Sequence, residues 1–244
     1  MIIVNADDWG RSVEETDVTL ACFRAGKITS VTAMVFMDDS ERAAKIALQE
    51  KIPTGLHLNF NQPFSHPPSD GGAAHDHAQV VRYLRRNRYF QLLYNPFLNK
   101  AFANVVRAQI AEFERLYGCP PSHFDGHQHM HLCMNVLLNH PIPLGSKVRR
   151  SFSFRRGEKS LINRAYRSWM TRRLRNHYRT TDYFFALSQN MENGRFVEAC
   201  DLSKGANVEV MTHPIVASET GFLNSSECEE TLASAARGSY LDLR

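Results

Sequence analysis

The chain opens with MIIVNADDWGRS, residues 1–12, and this stretch decides how the rest is read. The apolar run Met1–Val4 predicts a strand that ends at a polar turn, where Asn, Asp and Gly bond to nearby backbone and tolerate unusual dihedrals. Asp7 and Asp8 stand side by side at that strand end. Two adjacent carboxylates repel one another unless a cation or a shared proton lies between them, so the doublet is a candidate metal or acid/base site as well as a turn.

Outward from the doublet, short apolar strands alternate with longer amphipathic stretches. A helix is expected through Val13 to Ala25, a strand in TSVTAMVF (29–36), a helix from Glu41 to Glu50, and a strand in PTGLHLNF (53–60). A polar loop follows from Asn61 to His77, then a helical pattern from Val80 into FANVVRAQIAEFERLYG (102–118), stopped by Gly118, Pro120 and Pro121. Further strand candidates lie near Ile142–Val148, Asp182–Ala186 and Asn207–Thr212. This rhythm predicts parallel βαβ units in an α/β protein. No composition break calls for a second domain, so residues 1–244 are expected to form one. The Pro-, Gly- and Ser-rich loop near 61–78 is expected to be a lid or a binding loop.

Composition narrows the classes. At 244 residues and 43% hydrophobic content, the chain can bury an ordinary core. It has no apolar run of about 18 residues and no signal-peptide pattern, which predicts a cytoplasmic protein without a membrane partner. The five cysteines are widely spaced with no C-x-x-C, suggesting neither a disulfide framework nor a cysteine zinc site. The net charge of +4 is unevenly spread: residues 145–179 hold twelve Lys or Arg against one acid, Glu158, so this segment carries +11 and the remainder −7. Nucleic acid, an anionic surface, or a phosphorylated or acidic substrate would suit such a block. The preferred reading is a solvated helix face, with Ala165, Trp169, Met170 and Leu174 as its buried side.

Polar groups of metal-ligand type recur at four strand ends: Asp7-Asp8, His57 with Asn59 in GLHLNF, Asp125 to His131 in DGHQHMH, and His213 in VEVMTHP. In parallel α/β folds the C-terminal strand ends share one face, so these residues can be neighbours. An isolated buried histidine is more often a satisfied core residue; the recurrence is what points to a divalent ion held by imidazole and carboxylate. With the third of these strands ending near His127, Asp125 and His127 face inward as a pair. His129 and His131 then enter the following turn and support the site from behind or play structural roles. His66, His75, His77, His140 and His177 read as ordinary surface or loop residues. Phosphate-cradling glycine motifs and a G-x-S-x-G elbow are absent, which leaves acid/base and metal chemistry.

The stretches IVNADDWG, KITSVTAMV, GLHLNF, HFDGHQHMH and VMTHP, in this order from about residue 2 to 214, resemble the YdjC-like carbohydrate deacetylases, also called chitooligosaccharide deacetylases. Trp9 stands where that family usually has Phe, and Gly126 where it usually has Ser. The resemblance implies an irregular TIM-like (β/α) barrel that removes an N-acetyl group from a small amino sugar, such as acetylated chitobiose, with a metal-activated water. It further implies Asp8, His57 and His127 as metal ligands, Asp7 as general base and His213 as general acid. Asp125, His129, His131 and Asn59 would support ligands or substrate. One divalent cation is expected, magnesium or zinc first, with cobalt, nickel or manganese as alternatives; imidazole ligands favour the softer ions. The expected partner is a small N-acetylated saccharide, with no nucleic acid and with a homodimer left open. Two rival readings are a metal-dependent phosphoesterase that uses the basic segment 145–179 to hold an anionic substrate, and a nucleic-acid-binding protein with a structural metal site.

Overall fold

A computed structural model describes residues 1–69, 71–154, 157–192 and 194–243. Asp70 of the expected loop and Arg155 and Arg156 of the basic segment lie outside the described residues. The strands are β1 (Ile2–Trp9), β2 (Ser30–Ala33), β3 (Thr54–Leu58), β4 (Phe124–Gly126), β5 (Tyr183–Ala186) and β6 (Val208–Thr212). They form one parallel sheet in the order β4-β3-β2-β1-β6-β5, curled as a half-barrel. The helices are α1 (Val13–Arg24), α2 (Ser40–Glu50), α3 (Gly71–Arg85), α4 (Asn99–Tyr117), α5 (Met134–Asn139), α6 (Leu161–Arg175), α7 (Arg195–Leu202), α8 (Ala217–Leu223) and α9 (Ser226–Ala233). No described helix is long and apolar enough to cross a membrane.

A period of two sorts each strand between two environments. Ile2, Val4 and Ala6 of β1 and Val208 and Val210 of β6 enter the main hydrophobic core with the helices. The alternate positions Asn5 and Asp7 of β1, Thr32 of β2, Asp125 of β4 and Glu209 of β6 are buried on the concave side. Ile3, Tyr240 and Leu243 close the bottom of that hollow, where Tyr240 also stacks on His123 at 3.7 Å.

Local chemistry sets the helix ends. The Ser12 hydroxyl accepts from the Glu15 amide at 3.2 Å and donates to the Glu15 carboxylate at 2.9 Å, closing the first turn of α1. Gly118 ends α4 in the left-handed region at φ 67°.

The structure departs from the sequence expectations in four places. The stretch expected as loop to about residue 78 folds as helix from Gly71 onward, so His77 is buried rather than on the surface, and stacks on Phe64 at 3.6 Å. The pattern expected to run helically from Val80 to Gly118 breaks after Arg85 into two short 3-10 turns, Phe90–Leu92 and Pro96–Leu98. Asn95 caps the second turn by accepting from the Phe97 amide at 3.1 Å. Residues 142–148 form no regular strand, because Pro141 and Pro143 offer no amide donor. Instead the stretch 147–153 stands between the sheet's two edges: Arg149 donates to Phe124 of β4 at 2.9 Å, and Ser153 donates to Phe184 of β5 at 2.8 Å. Of the expected buried side of α6, Met170 and Leu174 are buried, whereas Ala165 and Trp169 face solvent.

Candidate metal centre

Adjacent residues on a regular strand point to opposite faces, so Asp7 and Asp8 would part company without a distortion. The β1–β2 register slips between Ala6 and Trp9, and Asp8 adopts φ 64°. This bulge turns the second carboxylate back toward the hollow. At the end of β4 the chain makes another unusual turn: Gln128 and His129 are both left-handed, at φ 50° and 59°, and this turn directly follows His127 at the strand tip. Gly126 permits it, since a Cβ there would meet the His131 amide nitrogen at 2.9 Å.

Asp8, His57 and His127 converge. Asp8 Oδ1 lies 2.9 Å from His127 Nδ1 and 3.3 Å from His57 Nε2, and all three residues are buried. The opposite nitrogen of His57, Nδ1, is 2.7 Å from Asp125 Oδ1, a pairing that orients the ring and leaves Nε2 facing Asp8. Burial alone would lower the His57 pKa, but Asp125, Asp7 and Asp8 outweigh it and hold the imidazole up to about 10. The carboxylates around this ring thus favour a positive charge at the centre, and the mixed imidazole and carboxylate donors suit a divalent metal. A second cluster, Asp7 with His57 and Asp125, is equally compact. Both carboxylates of that cluster are held by the fully buried Arg149, whereas Asp8 gives only Oδ2 to the partly exposed Arg11, at 2.8 Å, and keeps Oδ1 toward the two imidazoles, so the Asp8 set is the better cation site.

The sequence reading did not single out Arg149, whose side chain is fully buried. Its two terminal nitrogens each reach an oxygen of Asp7 at 2.7 Å. One of them is also 2.8 Å from Asp125, and Nε is 2.8 Å from Glu209. Burial by itself would raise the Asp7 pKa; the Arg149 charge overrides it and keeps the carboxyl well below the usual range. Asp8 is likewise held low against burial, by its hydrogen bonds with His127 and His57. The clue to Arg149 was Glu209: a carboxylate in the middle of the apolar strand VEVMT needs a buried cation. Tyr240 completes the group, donating to Glu209 at 2.5 Å.

The remaining expected residues fall in different places. Ala6 pairs with Thr212, so the next residues, Asp7 of β1 and His213 just past β6, follow side by side. Glu219 accepts from the His213 amide at 2.7 Å and from the Thr212 hydroxyl at 2.8 Å, fixing this strand tip. His131 is buried behind the centre, with Nε2 3.1 Å from the Arg149 carbonyl. His129 sits edge-on to Phe152 at 4.6 Å, and burial pushes it down to about 3. Asn59 does not face the centre: its amide side chain donates to the Gln62 carbonyl at 2.8 Å and accepts from the Gln62 amide at 2.9 Å, shaping its own loop.

Comparison with known proteins places the chain among relatives. The model of the family described as YdjC-like protein matches residues 1–240. A mouse carbohydrate deacetylase is 30% identical over 136 residues, which make up 55% of this chain and 44% of that protein. The human counterpart gives the same identity over 42% of its length, so the match spans less than half of these mammalian relatives. A chitooligosaccharide deacetylase of Yersinia pestis is 27% identical over 97% of this chain and 89% of its own. A crystal structure from Enterococcus faecalis, named for cellobiose-phosphate cleavage, superposes with TM-score 0.67 and 17% identity over 98% of this chain and 97% of its own, and shows the shared fold. With its family model matched over nearly the whole length, this chain belongs to the YdjC-like family.

Proposed function

We propose that this protein is a divalent-metal-dependent carbohydrate deacetylase, one domain that removes an N-acetyl group from a small amino sugar or chitooligosaccharide. The observation that carries the reading is the convergence of Asp8, His57 and His127 at three strand ends, with Asp7 and His213 beside them. The names of the Yersinia and mammalian relatives support the substrate class.

In this reading Asp8, His57 and His127 hold the cation. When bound, it supplies Lewis acidity, polarising the amide carbonyl and acidifying a water. Asp7 accepts the proton of that water. Arg149 grips both of its oxygens, which keeps the carboxylate ionised and aimed. His213, from the neighbouring strand tip, protonates the departing amine. Proton transfers of this kind each contribute roughly 10²–10⁴-fold.

The test is acetate release from N-acetylated chitooligosaccharides by metal-stripped protein, with magnesium, zinc, cobalt, nickel and manganese restored separately. Release that returns with one of these metals and is lost in His127→Ala and Asp7→Asn is the expected outcome. Unchanged turnover in His127→Ala, or release of phosphate from phosphate esters in place of acetate, overturns it.

A further inference from the structure

A second cluster of chemistry lies outside the metal centre. The face of α6 that carries Arg164, Arg167, Ser168 and Thr171, at helical spacings of three and four, stands against Arg150 and Ser153. Between them is a cavity of about 210 Å³, with Tyr183 at its side. Three guanidinium groups and four hydroxyls line it, and no described lining residue carries a carboxylate.

None of these cations is neutralised within the described residues. Arg150 Nε is buried without a hydrogen-bond partner. Arg164 makes no ion pair among the described residues and is exposed. Arg167 has only a neutral partner for Nε, the Asn163 side-chain oxygen at 2.9 Å, and its guanidinium lies 4.8 Å from the centre of the Phe154 ring. The nearby acid Asp182 is engaged elsewhere, by Arg175 at 3.5 Å and by the Asn207 amide at 2.9 Å. Burial pushes the Arg150 guanidinium down to about 10, with the Arg175 charge adding to the effect and Asp182 only partly opposing it. The Thr171 hydroxyl is engaged by Ser151 at 2.8 Å, whereas Ser153 Oγ accepts from the Phe184 amide at 3.1 Å, which leaves its own proton free to donate beside the arginines.

We propose that this cavity is a binding site for a phosphate group, either the free ion or a phosphomonoester. A dianion with several strong acceptor oxygens matches convergent guanidinium forks and hydroxyl donors, and relieves the mutual repulsion of the arginines. Phe152, which lines the same cavity, touches His129 edge-on at 4.6 Å, so the site sits one aromatic ring away from the histidine turn that follows His127. The proposal concerns binding only and stands apart from the deacetylase reading.

The test is calorimetric titration of inorganic phosphate, and separately of glucosamine 6-phosphate, into the full chain at ionic strength fixed with chloride. The variants are Arg150→Gln, Arg164→Gln and, as a control for phosphate captured at the metal centre, Asp8→Asn. One phosphate per chain is expected, weakened at least tenfold by either arginine substitution and unchanged by Asp8→Asn. Arg164 is exposed, so its variant retains the fold, and a melting curve checks this for Arg150→Gln. With that arginine dependence, tighter binding of the ester names an esterified ligand as the source, and equal or weaker binding names the free ion. Absence of saturable binding, or binding lost in Asp8→Asn and kept in both arginine variants, overturns the proposal; acetate release tests the deacetylase reading independently.

Discussion

His57 and His77 are both buried, at 1% and 4% exposure, yet the molecule treats them in opposite ways. His57 lies in the hollow of the sheet, and the carboxylates of Asp125, Asp7 and Asp8 hold it up to about 10 against the effect of burial. His77 projects from α3 onto the loop that precedes that helix, stacked on Phe64, with Nε2 unpartnered, and burial pushes it down to about 4. Removing an imidazole from water favours its neutral form; only neighbouring negative charge reverses that. The hollow is thus a store of negative charge, and the region under the loop is a dry shelter.

The largest effect is expected from Arg149→Ala, which leaves Asp7, Asp125 and Glu209 without their shared cation. Losing one partner of a buried ion network costs roughly 3–5 kcal/mol, read from the urea midpoint. A loss below about 1 kcal/mol would show that protons or a bound metal can replace the guanidinium.

The next is the pH dependence at His77. Its folded pKa is depressed, so its contribution to stability is full above about 6.5 and is lost as pH falls toward 4, where the unfolded chain takes up a proton that the folded one refuses. The drop across that window is up to about 3 kcal/mol. His77→Phe should remove this part of the pH slope, and a slope identical to wild type would mean that His77 is not sheltered.

The smallest effect is expected from Asp125→Asn, which keeps the shape but removes the charge behind His57. Metal affinity should fall by about 10–100-fold, measured by competition with a chelator. Affinity unchanged within a factor of two would detach Asp125 from the centre.

Much of the candidate site was readable because strand ends are punctuated: Asp8, His57 and His127 each close an apolar run, and a parallel sheet brings such ends together. Arg149 was not, since one buried arginine among twelve Lys and Arg has no local mark. The bulge that turns Asp8 inward is a departure from the period-two rule on which strand reading depends. His77 was misplaced for a similar reason. Its flanking Pro, Gly and Ser residues signal a loop, and only tertiary packing reveals that α3 begins at Gly71 and buries the ring.

The strand order β4-β3-β2-β1-β6-β5 also bears on how the chain is made. Ile2 pairs with Val208, so β1, once it has left the ribosome, waits for more than two hundred residues before its second edge is covered. β2, β3 and β4 can dock beside it in turn during synthesis, but the other edge of β1 stays open until β6 emerges. Contacts of such sequence separation form slowly, and an uncovered edge of apolar residues is a place where nascent chains pair with one another. The carboxylates of Asp7 and Asp8, near the end of that edge, would repel their counterparts on a second nascent chain, so the residues that define the site would also guard the unfinished sheet.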